Sequence, residues 1–225
     1  MINSKKTLLS LALLVLALPL VSCGGTSSAS NEGISTSSSQ SASLTDYVME
    51  AEYINLDGVS GAGISSEQSG VDMIFGDGTD AQKTLGWSNG YYVGYTYSPE
   101  TVLTFTFNSD VATTTSITLR LGSELGNITL EKSMMKLELN GNELNYSSMY
   151  IEGSRMESMA FYDKTVTNTA NIVAGSNTFK LSILSNTLRS GNATGGPMVD
   201  CLKLKSTGKI TWTDHSDNPA NRGGI

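Results

Sequence analysis

Histidine is almost missing from this 225-residue chain: His215 is the only one. A transition-metal site built from several imidazoles is therefore excluded. Cysteine is nearly as scarce, with Cys23 and Cys201 alone. Basic residues are outnumbered, 14 Lys and Arg against 21 Asp and Glu, for a net charge of −7. That balance argues against a nucleic-acid partner, which requires basic patches. No segment after residue 23 keeps a helical period. The one sustained apolar run, Leu8 to Leu20, is shorter than the roughly 20 residues a membrane-spanning helix needs.

That run has a different use. Lys5 and Lys6 precede it, Ser10 and Pro19 alone interrupt it, and small residues close it. A positive start, a short apolar core and a small-residue end are the layout of a secretory signal peptide. Leu20-Val21-Ser22-Cys23 resembles the lipobox of bacterial lipoproteins. The resemblance implies a diacylglyceryl group on the Cys23 thiol, removal of residues 1–22, and a lipid anchor on the extracytoplasmic face of a cell membrane or outer membrane. A second acyl chain would firm the hold, since one chain alone binds only marginally. The alternative is an ordinary signal peptide with a chance cysteine. Removal of residues 1–22 takes Lys5 and Lys6 with it and leaves 12 basic against 21 acidic residues, a net charge of −9. Once Cys23 carries lipid, Cys201 has no disulfide partner within the chain, although export would permit one. Burial must then stabilise the core, with a metal ion as a further aid.

Residues 24–45 hold nine Ser and three Thr and no aromatic. Such a stretch buries too little apolar surface to offset its ordering entropy. With Cys23 it reads as a disordered tether over 23–45, with an r.m.s. reach of about 25 Å. From Asp46 the pattern becomes period two. Leu103, Phe105 and Phe107 alternate with polar residues, as do Ile117, Leu119 and Leu121, then Phe179, Leu181 and Ile183, then Leu202 and Leu204. These are half-buried strands. Asn140-Gly141 between Leu137-Glu138-Leu139 and Leu144 signals a hairpin, and Gly175-Ser176-Asn177 marks another turn. Many short strands joined by Gly and Asn turns imply an all-β sandwich or barrel over 46–206. Residues 123–133 and 146–160 fit the pattern poorly; Met149, Met156 and Met159 read as loop gap-fillers or an adaptable surface. Residues 207–225 read as a polar tail with one strand-like piece, Ile210-Thr211-Trp212-Thr213.

Five landmarks then line up in order over residues 46–206: Tyr47-Val48-Met49-Glu50-Ala51-Glu52, Gly86 to Tyr95, Leu137 to Gly141, Ala174 to Leu181, and Gly195-Gly196-Pro197-Met198-Val199-Asp200-Cys201-Leu202. Together they resemble carbohydrate-binding modules of families 6 and 35. The resemblance implies a jelly-roll β-sandwich of antiparallel strands, a structural calcium ion and sugar-binding loops. It assigns calcium to Glu50, Glu52 and Asp200. The residues themselves give a reason. Glu50 and Glu52 are two apart, so on a strand they share a face and repel unless a cation lies between them. Calcium takes several oxygen ligands and suits an exported chain. Asp200, expected on the strand face of Leu202 and Leu204, is a candidate buried acid that needs a partner. The alternative is a solvated acidic edge. Asp77-Gly78-Thr79-Asp80 lacks EF-hand spacing and reads as a turn.

Sugars are held by aromatic faces and hydrogen bonds. Trp87, Asn89, Tyr91 and Tyr162 are the candidate ligand-binding residues, with a core role open for each ring. Tyr91 and Tyr92 are adjacent and point to opposite faces on a strand. Near Phe161 and Tyr162 the alignment slips by a residue. Met198 stands where the resembled modules commonly carry a ligand-binding Asn, and Asn192 and Thr194 are substitute candidates. His215 beside Asp214, Ser216 and Asp217 does not make a triad, because consecutive residues in a polar tail cannot be converged by a scaffold. The expectation is a non-enzymatic, anchored glycan-binding lipoprotein. The alternatives are a structural or protein-binding sandwich that has lost sugar binding, or an accessory subunit of a polysaccharide-processing complex.

Overall fold

A computed structural model describes residues 43–61, 68–69, 73–76, 86–96, 98–99, 101–123, 126–153, 160–185 and 196–213. The signal segment, Cys23, most of the tether, the Asp77–Asp80 loop, Met156, Met159, Asn192, Thr194 and His215 lie outside them. In chain order the strands are β1 (Thr45–Glu50), β2 (Ser60–Gly61), β3 (Gln68–Ser69), β4 (Ile74–Gly76), β5 (Tyr91–Val93), β6 (Val102–Ser109), β7 (Thr113–Gly122), β8 (Ile128–Leu130), β9 (Met135–Leu139), β10 (Asn142–Glu143), β11 (Met149–Ile151), β12 (Phe161–Ile172), β13 (Gly175–Ile183), β14 (Met198–Ser206) and β15 (Ile210–Thr213). A 3₁₀ turn, Ala51–Tyr53, follows β1.

The strands make an antiparallel β-sandwich, as the alternation implies. One sheet runs β12-β7-β14-β5-β4, with β1 also on β14; the other runs β10-β9-β13-β6-β15. Leu103, Phe105 and Phe107 of β6, Leu137 and Leu139 of β9, and Phe179, Leu181 and Ile183 of β13 meet Ile117, Leu119 and Leu121 of β7 and Leu202 and Leu204 of β14 in one buried cluster. Phe105 lies opposite Phe179 in the ladder, the rings 6.1 Å apart and near edge-on. Each such side chain contributes about 1.5–3 kcal/mol by leaving water. The Asn140-Gly141 hairpin forms as its sequence demands, with both residues at positive φ, 52° and 77°. That is the turn whose twist matches a two-residue hairpin. Asn177 is buried beneath the β12–β13 turn and bonds the Val173 amide and carbonyl and the Gly175 carbonyl.

Three features depart from the sequence reading. Residues 123–133 and 146–160 are not only loops: β8 and β11 pair as a ribbon, and Ile128, Leu130, Met149 and Ile151 enter the main core. Strands of three residues give too few alternations to register as a period. The tail contributes β15, which pairs with β6 from Ile210↔Ser109 to Thr213↔Thr106, so the sandwich extends to Thr213. Asp200 does not share the face of Leu202 and Leu204. The β14–β7 register shifts between Val199, opposite Leu121, and Cys201, opposite Arg120. That bulge inserts Asp200 as an extra residue and turns it toward the face of Arg120.

Candidate functional site

β1 ends where the bulge in β14 begins. Its last ladder pair is Glu50↔Cys201, and the chain then turns through Ala51–Tyr53. Glu50 and Glu52 therefore do not share a strand face, because the strand stops between them. They converge through a third segment instead. The turn at 86–90 carries positive φ at Gly86, Asn89 and Gly90, a conformation that Gly and Asn tolerate best. It lays Ser88 and Asn89 across the acids. The Ser88 amide donates to Asp200 Oδ1 at 2.7 Å. The Ser88 hydroxyl lies 2.6 Å from Glu50 Oε2 and 2.9 Å from Asp200 Oδ2. The Asn89 amide donates to Glu52 Oε1 at 2.9 Å.

These contacts do not satisfy three ionised carboxylates. The Ser88 hydroxyl owns one proton and can donate to only one of its two acidic neighbours. Without a cation, the other must hold a proton and donate back. Glu52 and Asp200 are fully buried. Burial pushes Glu52 up to about 8, against the opposing Asn89 hydrogen bond, and the charges of Glu50 and Asp200 push the same way. Burial likewise raises Glu50 to about 7 and Asp200 to about 6, opposed in both by hydrogen bonds from Ser88. Among the described residues the nearest cation is Arg120, whose Nε is 3.5 Å from Asp200 Oδ2 while it also bonds the Gly86 carbonyl. Lys203 is held by both oxygens of Asp163 at 2.9 Å. Among the described residues, Glu52 Oε2 is buried with no hydrogen-bond partner.

A hard divalent cation fits this donor set. Three carboxylates against one close guanidinium leave a surplus of two negative charges, and an orphaned carboxylate oxygen is available. Glu50, Asp200 and Cys201 bring ligand atoms within 4.8 Å of one another. Burial and the Asp200 charge hold the Cys201 thiol well above its usual range, so it stays protonated. The oxygens therefore set the preference, which is for a hard divalent cation.

The candidate ligand-binding rings are placed differently from the sequence expectation. Trp87 is 5 % exposed and Tyr91 7 %. Tyr91 faces the main core, while Trp87, Tyr92, Phe161 and Met198 close a second cluster with Phe75 against it. The Trp87 ring lies 5.2 Å from Tyr92 and 5.7 Å from Phe161. Neither Trp87 nor Tyr91 offers a free face to a sugar. The adjacent Tyr91 and Tyr92 are both core, one in each cluster, as the alternation of adjacent strand residues requires. The one-residue ambiguity resolves in favour of Phe161 as the cluster member. It sits opposite Gly122, where a Cβ would come within 3.0 Å of its ring. Tyr162 packs half-buried on the main core with Lys164 Nζ 5.2 Å from its ring centre. Asn89 is exposed but its amide is committed to Glu52. Met198 fills the second cluster, so the thioether takes part in packing rather than in hydrogen bonding.

Ser88 and Arg120 were not singled out by the sequence. Arg120 had a signal: it is the only basic residue between Lys83 and Lys132, set in an otherwise neutral strand. Ser88 had none, because its role depends on a bulge and a turn in separate segments.

Scans against family models and against curated proteins return no match. Among solved structures, the chain is similar to a family 35 carbohydrate-binding module from an environmental isolate, at 13% identity and a TM-score of 0.47, covering 76% of this chain and 99% of that one. It is similar to the family 35 module of Cellvibrio japonicus Abf62 at 14% identity and a TM-score of 0.46, covering 75% and 97%. It is also similar to part of a Podospora anserina β-(1,4)-mannanase carrying such a module, at 15% identity and a TM-score of 0.45; the match covers 72% of this chain and spans 28% of the mannanase.

Proposed function

We propose that this chain is a lipid-anchored, extracytoplasmic glycan-binding protein with no catalytic activity of its own, braced by calcium at the Glu50/Glu52/Asp200 cluster. The observation that carries the reading is that buried cluster, formed by the residues to which the resemblance assigns calcium. Calcium would supply the positive charge that the three carboxylates lack. The chain's own residues would do the rest: Glu50 and Glu52 tie the end of β1, Asp200 ties the bulge of β14, and Ser88 and Asn89 tie the 86–90 turn. The Leu20-Val21-Ser22-Cys23 motif and the Ser-rich stretch support an anchor and tether at a cell surface, where glycans are met.

A second reading is favoured by the closed aromatic cluster. Trp87, Tyr92, Phe161 and Met198 pack on one another where loop aromatics were expected to be open. That suits a structural or protein-binding sandwich, or an accessory subunit of a polysaccharide-processing complex. A glycan array on the purified full chain, run with millimolar calcium and again with chelator, separates the readings. The glycan reading expects calcium-dependent binding without cleavage. A blank array in both conditions supports the structural reading. Mass spectrometry of the membrane fraction tests the anchor: a diacylated N-terminal Cys23 is expected, and any other unmodified N-terminus contradicts it.

A further inference from the structure

Turns 110–112, between β6 and β7, 173–174, between β12 and β13, and 207–209, between β14 and β15, stand together at one end of the sandwich. The ladder pairs Ser109↔Gly175 and Thr113↔Ile172 set the first two side by side. The 207–209 turn meets the first on its other flank: the Lys209 amide donates to Asp110 Oδ1 at 2.8 Å, and Gly208 lies against the Val111 side chain. β1 begins at this end too, since Thr45 lies opposite Ser206. Turns are mostly built from Gly, Pro, Asn, Asp and Ser. Two of these carry Val-Ala instead, Val111-Ala112 and Val173-Ala174, and all four residues are exposed. Val111 is 46% exposed, Val173 51% and Leu44, just before β1, 58%. None of the three joins the core cluster.

Connectivity and charge select the occupant. The Ser-rich segment that follows Cys23 is joined to the sandwich at Ser43, and so at this end. Glu50, where the acid cluster begins, is at the far end of β1, about 20 Å away at roughly 3.3 Å per residue. The chain is acidic overall, and an anionic lipid surface repels acidic protein. This end escapes that repulsion: Ser43, Leu44 and the three turns carry one acid, Asp110, and one base, Lys209. A second copy of the chain is a poorer fit. A stable dimer buries about 800 Å² per partner, more than three aliphatic tips supply. A bilayer reached through the chain's own anchor needs far less, because a short flexible linker gives an effective concentration in the millimolar range.

We infer that the Leu44/Val111/Val173 end rests on the bilayer that holds the anchor, its aliphatic tips entering the headgroup–acyl boundary and the acid cluster pointing away from the membrane. The assignment rests on the lipid-anchor part of the reading above. The test uses the full lipidated chain in phosphatidylethanolamine–phosphatidylglycerol vesicles doped with a lipid that carries a nitroxide quencher near the headgroup. An environment-sensitive fluorophore is placed on Val111→Cys, on Val173→Cys or, at the opposite end of β13, on Leu184→Cys, a position 44% exposed. Cys201 is buried and does not compete for the label. The probes at 111 and 173 are expected to shift to shorter wavelength and to be quenched, and the probe at 184 is not. Val111→Glu combined with Val173→Glu is expected to abolish the quenching of a probe on Leu44→Cys without lowering the melting temperature. Equal quenching at 111, 173 and 184, in protein that floats with the vesicles, overturns the docked orientation and leaves the anchor standing. A shorter wavelength without quenching makes a second copy the occupant and also overturns it. An N-terminus without lipid overturns the anchor and the docking together.

Discussion

Along β14, two halves of one strand follow different rules. From Leu202 to Ser206 the ladder is regular: Leu202 and Leu204 enter the core, while Lys203 and Lys205 face outward toward Asp163 and Asp46. From Met198 to Cys201 the register slips, and Asp200 is buried beside Glu50, Glu52 and a protonated thiol. The first half does what alternation alone dictates. The second half removes charge from water at a cost that no contact within the described residues repays in full. On the proposed reading, stability and function are separated along one strand: the regular half holds the sandwich, and the irregular half is where a cation would bind.

The largest expected effect lies in the packed regions and tests whether the second aromatic cluster is core. Phe105→Ala should cost about 3–5 kcal/mol, and Trp87→Ala a similar amount, since both rings are buried. Chemical denaturation measures both. A Trp87→Ala variant as stable as the wild type would place that ring outside the core and reopen it as a sugar platform.

A second test turns on pH. In the metal-free chain, Glu50, Glu52 and Asp200 have folded-state values raised above their ordinary ones, to about 7, 8 and 6. The folded state holds these protons more tightly than the unfolded state. Their contribution to stability is therefore full below about pH 4 and is lost as pH rises through about 6 to 8. Denaturation in chelator should show a fall of several kcal/mol between pH 5 and pH 8.5. A flat profile across that window would mean the acids are not buried as described. On the proposed reading calcium binds the ionised cluster, so its stabilising effect is expected to grow over the same interval.

The smallest effect belongs to the regular half of β14. Lys205→Ala removes a pair with Asp46 that is 3.7 Å long and largely exposed, and should change stability by less than about 1 kcal/mol. Its response to calcium should equal that of the wild type. A calcium response altered by Lys205→Ala would break the separation between the two halves.

The regular half was legible because Leu202 and Leu204 repeat every two residues, and so were β6, β7 and β13. The Asn140-Gly141 turn was legible because few residues other than Asn and Gly accept positive φ at both positions. The structure brings Glu50 and Asp200 together and ties Glu52 to the same turn through Asn89, by a route the sequence reading did not anticipate. Glu52 lies past the end of β1, and Asp200 reaches the site through a bulge that leaves no mark in local periodicity. β8, β11 and β15 were missed or only half seen because three or four residues carry too little alternation, and their partners are distant in sequence. The burial of Trp87 depends on Phe161 and Met198, 74 and 111 residues further along the chain. A pattern read along one segment carries no information about such neighbours.

The central claim, that the buried acids form a calcium site, is tested most directly by thermal melting of the full chain at pH 8 in saturating calcium and in chelator. A ligand at about 100 times its Kd adds about 2.7 kcal/mol, which corresponds to a rise in Tm of about 5–10 °C for a domain of this size. The account predicts that rise for the wild type and its loss in Glu52→Gln and Asp200→Asn, with neither variant less stable than the wild type in chelator. Identical melting curves in calcium and chelator would contradict it.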